Sequence, residues 1–570
     1  MTVADYFVQE LKKNDVTDIF GIPGGVLLEL LYRVDAFNGI SAHLNFHEQA
    51  AGYAACGYAQ VSGTLGVAYA TKGPGIMNMM TPLAEAYYDS LPVLFVTAHA
   101  SEEKPEGMRF MNEQEMDLIS IVSGITKYAV RVDDVKTACG EIKKVCAVAQ
   151  EGRKGPVLID FSAKLLKQEV TSEIEKQNEL VMQSRSEKQN ESALKIDYED
   201  IAKQLHRAKR PILLIGDGMR EKETTILVRE FAEKRNIPVL SSRVSQDLMA
   251  DSRRYYGYIG SHGIRYSNFI LSKADFILAL GNRMSFPAAS ESFRPIVEKA
   301  DIVRVDIDAT EFQRVIPNCK NIRADVKDFI LALEEVMGDL HGDKNWSQVC
   351  DTLREKLKEC DMEEPQRRIA SILNEINEDA TIVCDVGNSE LWFSRAFAYT
   401  RKKMTILSSK SFKTVGCALA KAIGVYYETK KPVICMTGDQ GLQFNIQELQ
   451  FISQNHIPIT IVVYNNHSSG MMRSSEQRMG YSYFLQTTED SGFGMPMLKD
   501  IARAYQLEFF DEKDLNQETL RQVLSEKTPK ILQVEFQEEY DVKQVLPKGN
   551  PCQKFLPELE EHLYRELDAM

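Results

Sequence analysis

The stretch from Gly438 to His467 places a polar cluster after each of two apolar runs, with an amphipathic segment between them. KPVICMTGD is typical of a buried strand ending in Gly438 and Asp439, and IPITIVVYNN of a second strand ending in Asn465 and Asn466. Apolar residues recur at helical spacing between the two, so the stretch predicts a strand–helix–strand crossover. Both polar clusters then lie at the carboxyl ends of parallel strands, where open α/β sheets bind ligands.

These clusters carry the hard oxygen atoms that suit Mg²⁺ bridging to a diphosphate. The predicted metal ligands are the Asp439 carboxylate, the Asn466 side-chain carbonyl and the main-chain carbonyl of Ser468. Gly438 has no side chain, which lets a phosphate approach the backbone closely. The alternative is two unrelated strand ends with polar caps, and the spacing of the two clusters argues against it.

Helix-like and strand-like segments alternate along the 570 residues, which predicts an α/β protein of three domains, each an open parallel sheet flanked by helices. The predicted domains span 1–168, 190–342 and 365–570. A polar, glycine-free stretch separates the first two, and a charged helical stretch precedes the third. The first and third units are similar in size and pattern, which indicates a duplicated fold.

Composition limits the partners and the compartment. The net charge of −14 disfavours nucleic acid or an anionic membrane as the main partner. Ten cysteines are scattered without CxxC pairs, which is typical of reduced thiols. The chain has no apolar run of about eighteen residues and no signal-peptide pattern at its start. We therefore predict a cytoplasmic protein that does not span a membrane.

The Gly-Asp pair, residues 441–464 and the Asn-Asn pair together resemble the signature of the thiamin-diphosphate-dependent enzymes. Gln440 stands where that signature usually has glycine. The resemblance implies thiamin diphosphate and Mg²⁺ as cofactors, with Gln440 and Gly441 at the cofactor. It covers nearly the whole chain, in the order pyrimidine-binding, central and diphosphate-binding domain.

The pyrimidine side of the cofactor site also follows from the resemblance. NFHEQAAGYAACGYA is similar to the family's strand-end glutamate with its small-residue helix, which makes Glu48 the carboxyl group that activates the cofactor. Taken alone, Glu48 could be a helix-start residue favoured by the macrodipole. Pro23 and Gly24 in FGIPGG, and Asn78 in ATKGPGIMN, resemble two further loops of this domain. The family pairs this side of one subunit with the diphosphate side of another, which implies a homodimer or homotetramer with active sites at subunit interfaces.

Within the family, the acetolactate synthase branch has the most similar segments. RFMNEQEMDLI resembles a segment whose glutamine points at the reacting centre, and Gln114 takes that place; a plain surface glutamine is the alternative. NNHSSGMMR resembles the segment that places Gly470 at the cofactor and Met471 at the substrate side. KTVG puts Val415 at the wedge that bends the cofactor, where the branch usually has methionine. The main chain of Lys413 would accept the pyrimidine amino group.

The central domain matches part of the FAD-binding pattern of that branch. The matching residues are Gly218, His262, Arg283 and Asp306. Pro287 stands where the pattern has a later arginine, so FAD is a candidate cofactor and its presence stays open here. A second departure is Lys421, which places a charge in a helix that is normally apolar in the branch.

The chain is therefore predicted to decarboxylate a 2-oxo acid, with pyruvate as the expected donor, and to join the fragment to a carbonyl acceptor. The alternatives are a decarboxylase that releases aldehyde, a carboligase for a larger acceptor such as an oxo-sugar, and a non-catalytic scaffold. Intact Glu48, Asp439 and Asn466 argue against the scaffold. Pyruvate decarboxylases carry an adjacent His-His pair where this chain has His99 alone, which favours ligation.

Overall fold

The computed structural model describes residues 1–100, 108–109, 113–171, 174, 196–285, 290–338, 343–537 and 541–570. These residues contain three six-stranded sheets, each with helices packed against it. The paired strands within each sheet run parallel, as the alternation of helix and strand patterns predicts. The predicted α/β class with three open parallel sheets is confirmed.

The N-terminal sheet has the strand order β2-β1-β3-β4-β6-β5. Its strands are β1 Asp18–Gly21, β2 Ser41–Leu44, β3 Gly66–Tyr69, β4 Val93–His99, β5 Tyr128–Val132 and β6 Val157–Ser162. Its α-helices are Val3–Lys13, Leu28–Ala36, Glu48–Ser62, Pro74–Asn78, Met80–Asp89, Leu118–Val122 and Val135–Gln150. The apolar strands β3 and β4 are buried along their whole length, which is typical of a parallel sheet covered on both faces.

The central sheet has the order β12-β11-β10-β7-β8-β9. Its strands are β7 Pro211–Ile215, β8 Val239–Ser241, β9 Tyr255–Tyr258, β10 Phe276–Leu280, β11 Asp301–Asp306 and β12 Cys319–Arg323. Its α-helices are Tyr198–Arg207, Lys222–Arg235, Arg265–Lys273, Arg294–Lys299, Val326–Met337 and Lys344–Leu357. This is the doubly wound order, and its topological switch point lies between β7 and β10.

The C-terminal sheet has the order β14-β13-β15-β16-β18-β17. Its strands are β13 Thr381–Cys384, β14 Thr405–Ser408, β15 Val433–Gly438, β16 Ile459–Asn465, β17 Glu508–Asp511 and β18 Lys530–Glu535. The α-helices of this part of the chain are Glu364–Glu375, Asn388–Thr400, Ala418–Thr429, Asp439–Phe444, Glu448–Gln454, Gly470–Met479, Leu498–Ala504, Gln517–Ser525 and Glu561–Ala569. Adding twelve to each strand number of the N-terminal sheet gives this order, so the indicated duplication is confirmed in the topology.

The two duplicated domains pack through equivalent helices, which follow β2 and β14. A Cβ atom on Gly57 would lie 2.2 Å from the Lys421 carbonyl oxygen, and one on Gly424 would lie 1.8 Å from the Ala54 carbonyl oxygen. The helices Glu48–Ser62 and Ala418–Thr429 therefore touch backbone to backbone, and a single hydrophobic cluster extends through both domains. This contact fixes the N-terminal sheet relative to the C-terminal sheet.

From Leu546 onward the chain leaves the C-terminal sheet and packs on the central domain. Phe555 and Leu567 belong to the same apolar cluster as the central helices. Arg265 donates to the Pro557 carbonyl oxygen at 2.9 Å, and Lys273 donates to the Asp568 carbonyl oxygen at 2.8 Å. Within the described ranges, no helix is both long and apolar enough to cross a membrane. All ten cysteines have free thiols.

Candidate active site

Asp439 is the most informative residue at the predicted metal site. β15 pairs in parallel with β16, so Asp439 and Asn466 follow neighbouring strand ends, as expected. Asp439 is only 4% exposed, and its Oδ1 accepts a hydrogen bond from the Gln440 N–H at 2.7 Å. Its buried Oδ2 has no hydrogen-bond partner among the described residues. Burial raises the pKa of Asp439 to about 6. A metal ion would supply the partner that this oxygen lacks.

The loop after β16 turns toward the same carboxylate. Asn466 and Ser468 are both buried, and the N–H groups of His467 and Ser468 face Asp439. The Ser468 carbonyl oxygen, predicted as a metal ligand, accepts the Gly470 N–H at 2.8 Å. A carbonyl has two lone pairs, so one remains for a metal. The structure thus brings the three predicted ligands to one place, and their coordination of Mg²⁺ stays a prediction.

Glycines shape the diphosphate edge. A Cβ atom on Gly441 would lie 2.5 Å from the Thr437 hydroxyl oxygen, and one on Gly470 would lie 2.8 Å from Asn466 Nδ2. Side chains at these positions would force the loops apart. Gly438 differs, because a Cβ atom there would have its nearest neighbour 4.0 Å away. The space beside Gly438 is open and suits the close approach of a ligand.

Gln440, the departure from the family signature, ties the two strand-end loops together. Its Oε1 accepts a hydrogen bond from the Ser469 hydroxyl at 3.0 Å. The side chain therefore lies across the loops after β15 and β16.

The wedge segment follows β14. Val415 is 38% exposed, so its apolar side chain is available to a ligand. Lys413 has a positive φ of 59°, and its ammonium group donates to Glu390 at 2.7 Å. Gly416 also has a positive φ, of 82°, and a Cβ atom there would lie 2.3 Å from Phe444 Cβ. The backbone of this segment is thus held in one conformation beside the diphosphate edge.

Asp385 is a site residue that sequence reasoning missed. It follows β13, is buried, and accepts hydrogen bonds from the Gly416 N–H at 2.8 Å, the Val386 N–H at 2.9 Å and the Thr437 hydroxyl at 2.8 Å. Burial raises the pKa of Asp385 to about 6. The signal was present in ATIVCDVGN, a third apolar strand that ends in polar residues. Asn388 in the same stretch also reaches the site, since its Nδ2 would lie 2.9 Å from a Cβ atom on Gly470.

The pyrimidine side is assembled at the carboxyl edge of the N-terminal sheet. Glu48 is the first residue of its helix, and its Oε2 accepts a hydrogen bond from Asn78 Nδ2 at 2.9 Å. A Cβ atom on Gly75 would lie 3.4 Å from Glu48 Oε1. Gly24 packs on the same loop, because a Cβ atom there would lie 2.3 Å from Thr71 Cβ. Three of the predicted residues, Glu48, Asn78 and Gly24, therefore lie on segments that contact one another.

Gln114 and Pro23 complete this edge. Both are exposed. Gln114 has a positive φ of 64° and packs on Gly73, where a Cβ atom would lie 2.7 Å from Gln114 Cβ. Lys72, which stands where the family commonly has serine or threonine, forms an ion pair with Glu115 at 2.6 Å. The backbone and Cβ of Gln114 thus pack on the loop that contacts Glu48.

The FAD-pattern residues of the central domain share one cleft of about 1180 Å³, which all three domains line. The residues concerned are Gly218, His262, Arg283 and Asp306. Pro287 lies outside the described residues. The structure thus brings the matched part of the pattern together at the switch point of the central sheet.

Models of the thiamine pyrophosphate (thiamin diphosphate) enzyme family match three parts of the chain. The N-terminal TPP binding domain matches residues 1–121, the central domain residues 198–333 and the C-terminal TPP binding domain residues 385–534. Each match falls on one of the three sheets.

Curated relatives extend along nearly the whole chain. It is 30% identical to the acetolactate synthase large subunit of Lactococcus lactis subsp. lactis (strain IL1403), over 95% of this chain and 94% of the relative. Identity is 28% to the acetolactate synthase isozyme 1 large subunit of Escherichia coli (strain K12), over 96% of each chain. The chain is 27% identical to the acetolactate synthase isozyme 2 large subunit of the same organism, over 98% of this chain and 100% of the relative. Three matched domains and full-length relatives therefore establish that the chain belongs to the thiamine pyrophosphate enzyme family and is an acetolactate synthase-like enzyme.

Proposed function

We propose that the chain is a Mg²⁺- and thiamin-diphosphate-dependent carboligase that decarboxylates a 2-oxo acid, with pyruvate as the expected donor, and joins the fragment to a carbonyl acceptor. Asp439, Asn466 and the Ser468 carbonyl would hold the metal, and Val415 and the Lys413 main chain would hold the pyrimidine side. When bound, thiamin diphosphate supplies the carbon nucleophile that a 2-oxo acid needs to lose carbon dioxide. The buried Oδ2 of Asp439 supports this assignment, because it has no hydrogen-bond partner among the described residues and a metal would bind it.

One observation favours ligation over aldehyde release. Release needs a proton donor at the reacting carbon, and His99 is the histidine at the end of β4. His99 Nδ1 bonds to Asp160 at 2.9 Å and Nε2 to Asp133 at 2.7 Å, and the ring is buried. Burial alone would lower the pKa of His99, but the two carboxylates raise it. Both nitrogens of the His99 ring are therefore already bonded to carboxylates. The Gln114 amide is no acid near pH 7, so it cannot supply the proton either.

A second copy of the chain is the proposed partner. Apolar side chains at or after the strand ends of the N-terminal sheet are exposed: Leu28, Tyr32, Leu44, Phe46 and Met77. Those exposed after the strand ends of the C-terminal sheet are Phe444, Met472, Met479, Tyr481, Tyr483 and Leu485. Apolar area of this extent is typical of a protein interface. A homodimer or homotetramer would cover it and bring Glu48 of one subunit to the diphosphate edge of another, and we place this assembly in the cytoplasm.

FAD is a candidate ligand of the central cleft, where the matched part of the FAD pattern comes together. Asp217 lies in the loop after β7, where open α/β sheets receive a diphosphate. Burial alone would raise the pKa of Asp217, but Arg220 and Lys410 bind its carboxylate and lower the pKa to about 2. The two cations balance this carboxylate, and Arg283, which donates to the Ser411 hydroxyl at 2.9 Å, adds a positive charge at the same cleft. FAD stays a candidate cofactor: gently purified protein should be yellow if the cleft holds it, and colourless protein that fails to bind added FAD in a fluorescence titration would reject it.

The decisive experiment is product partition from pyruvate at saturating acceptor. Ligation products should dominate when pyruvate, simple aldehydes and oxo-sugars are each offered as acceptor, with products identified by mass and NMR. The best acceptor distinguishes an acetolactate-type reaction from one on a larger carbonyl compound. If acetaldehyde stays the major product with every acceptor, the non-ligating decarboxylase replaces this proposal. A chain that binds thiamin diphosphate and turns over no 2-oxo acid would instead be a scaffold.

A further inference from the structure

Glu448 is a buried carboxylate that joins the C-terminal domain to the N-terminal domain. It begins the helix Glu448–Gln454, between the strands that carry Asp439 and Asn466, and it is 0% exposed. Its Oε2 accepts a hydrogen bond from Asn45 Nδ2 at 3.0 Å, and its Oε1 accepts one from the Phe46 N–H at 2.9 Å.

The residues that Glu448 holds form the connection 45–47. β2 ends at Leu44 and the next helix begins at Glu48, so these three residues lead directly into Glu48. The N–H of His47 also faces the Glu448 carboxylate, and the His47 ring caps the helix by accepting the Gln49 N–H at 3.1 Å. Every group turned toward Glu448 is a donor, which is what a carboxylate requires.

We propose that Glu448 is a positioning residue that sets the place of Glu48 and thereby couples the two active sites of a dimer. This rests on the proposed function, in which Glu48 of one subunit serves the cofactor held by the other. Each Glu448 then belongs to the domain that holds one cofactor and positions the carboxyl group that acts on the second cofactor.

The same contacts would also exist if Glu448 only stabilised the domain interface. Asp18 provides a matched control for that role. It is a buried carboxylate between the same two domains, bonded to His43 at 2.7 Å and to Lys430 at 3.3 Å. Asp18 begins β1, so it lies at the amino end of the sheet and away from the candidate site.

Glu448→Ala should lower kcat about 10- to 100-fold, the usual range for a residue that orients a reacting group. The KM for pyruvate and the Kd for thiamin diphosphate should stay within about 3-fold, because Glu448 contacts neither ligand. Asp18→Ala should lower thermal stability and leave kcat unchanged. In the protein without cofactor, hydrogen exchange by mass spectrometry should show lost protection of the amides at 46–47 in Glu448→Ala and not in Asp18→Ala.

Two milder variants test geometry against charge. Glu448→Gln keeps one acceptor for Phe46, and its amide can donate to Asn45 Oδ1, which has no partner among the described residues. This variant should keep kcat within about 3-fold, whereas Asn45→Ala should lose about 3- to 10-fold, the scale of one hydrogen bond. These two variants also test the positioning role if Glu448→Ala does not fold. Wild-type kcat and amide protection in both Glu448→Ala and Asn45→Ala would overturn the positioning role.

Mixed dimers, purified with two affinity tags, test the coupling. Pairing a Glu448→Ala chain with an Asp439→Ala chain leaves one working site, which uses the intact Glu48 connection of the second chain and should run at the wild-type rate per site. Placing both substitutions on one chain, beside a wild-type partner, leaves a site that uses the disturbed connection and should be about 10- to 100-fold slower. Equal rates in the two mixed dimers would overturn the coupling. A wild-type protein without carboligase activity fails the proposed function instead, and the amide-exchange result still decides the positioning role.

Discussion

The N-terminal and C-terminal sheets have the same strand order, but they differ in whether the polar groups at their strand ends have hydrogen-bond partners. β4 ends at His99, and both ring nitrogens of His99 are bonded to aspartates of the same sheet or its loops. In the C-terminal sheet, the residue after β15 is Asp439, whose buried Oδ2 lacks a partner in the described part of the chain. The comparison teaches that a binding edge is built by leaving buried polar atoms for a ligand to satisfy.

The connections after β2 and β14 differ in the same instructive way. Three residues, 45–47, lead from β2 to the helix that begins at Glu48, so a carboxylate stands at the helix start. Nine residues, 409–417, lead from β14 to the equivalent helix, and they carry Lys413 and Val415. The short connection places the Glu48 carboxyl group at a helix start. The long connection forms a loop whose residues can contact a cofactor.

The largest effect is expected at the short connection. Glu48→Gln should leave the fold intact and slow exchange of the cofactor C2 proton by about two to four decades, the scale of a positioned acid–base group. The measurement is hydrogen–deuterium exchange of bound thiamin diphosphate, with Glu29→Gln on a neighbouring helix as control. An unchanged exchange rate would remove Glu48 from the mechanism and leave it as a helix-start residue.

The next largest effect is expected on stability, at the contact between the two duplicated domains. Lys421 and Glu85 form an ion pair in which both side chains are 0% exposed, and Lys421 also donates to Gln60 at 3.2 Å. Lys421→Met would leave Glu85 buried without its counter-charge, so the free energy of unfolding should fall by about 3–5 kcal/mol. The double variant Lys421→Met with Glu85→Gln should regain most of that loss in denaturant unfolding. No recovery would mean that Lys421 acts through packing.

The metal ligand comes next. Asp439→Ala removes the one carboxylate of the predicted Mg²⁺ site and should weaken thiamin diphosphate binding by at least about 100-fold, the upper range for groups that only support a ligand. Calorimetry with Mg²⁺ measures this, and His99→Gln is the control, because both ring nitrogens of His99 are already bonded and its strand end should bind no ligand. Unchanged cofactor affinity in Asp439→Ala would contradict the metal assignment.

Local sequence patterns predicted the ends of β15 and β16, because consecutive parallel strands end at the same edge. They did not reveal Asp385, since β13 reaches its place beside β15 only through the strand order of the whole sheet. Glu85 could not be matched to Lys421 for the same reason: the pair joins two domains that are distant in sequence. Glu448 stands in NIQELQ, within the segment predicted to be an amphipathic helix, and nothing in that pattern singles it out. These positions depend on contacts between segments that are distant in sequence, which periodicity does not encode.

The smallest expected effect concerns Asp385, which stands where the N-terminal sheet has Ile22 after the equivalent strand β1. Burial raises the pKa of Asp385 from 3.8 to about 6, so the folded protein binds this proton more tightly than the unfolded chain does. Stability from this group is therefore present below about pH 4 and is lost as the pH rises to about 6, at about 1.4 kcal/mol per pH unit.

Asp385→Asn removes the titration and keeps the contacts, because the new amide can donate to Thr437, whose hydroxyl lies 3.2 Å from the Gly438 carbonyl oxygen. In denaturant unfolding without cofactor, the variant should be more stable than the wild type at pH 7 and equal to it near pH 4. Parallel stability curves across this window would mean that the Asp385 carboxylate is stabilised in the fold, and the contrast between the two sheets would then not extend to β13.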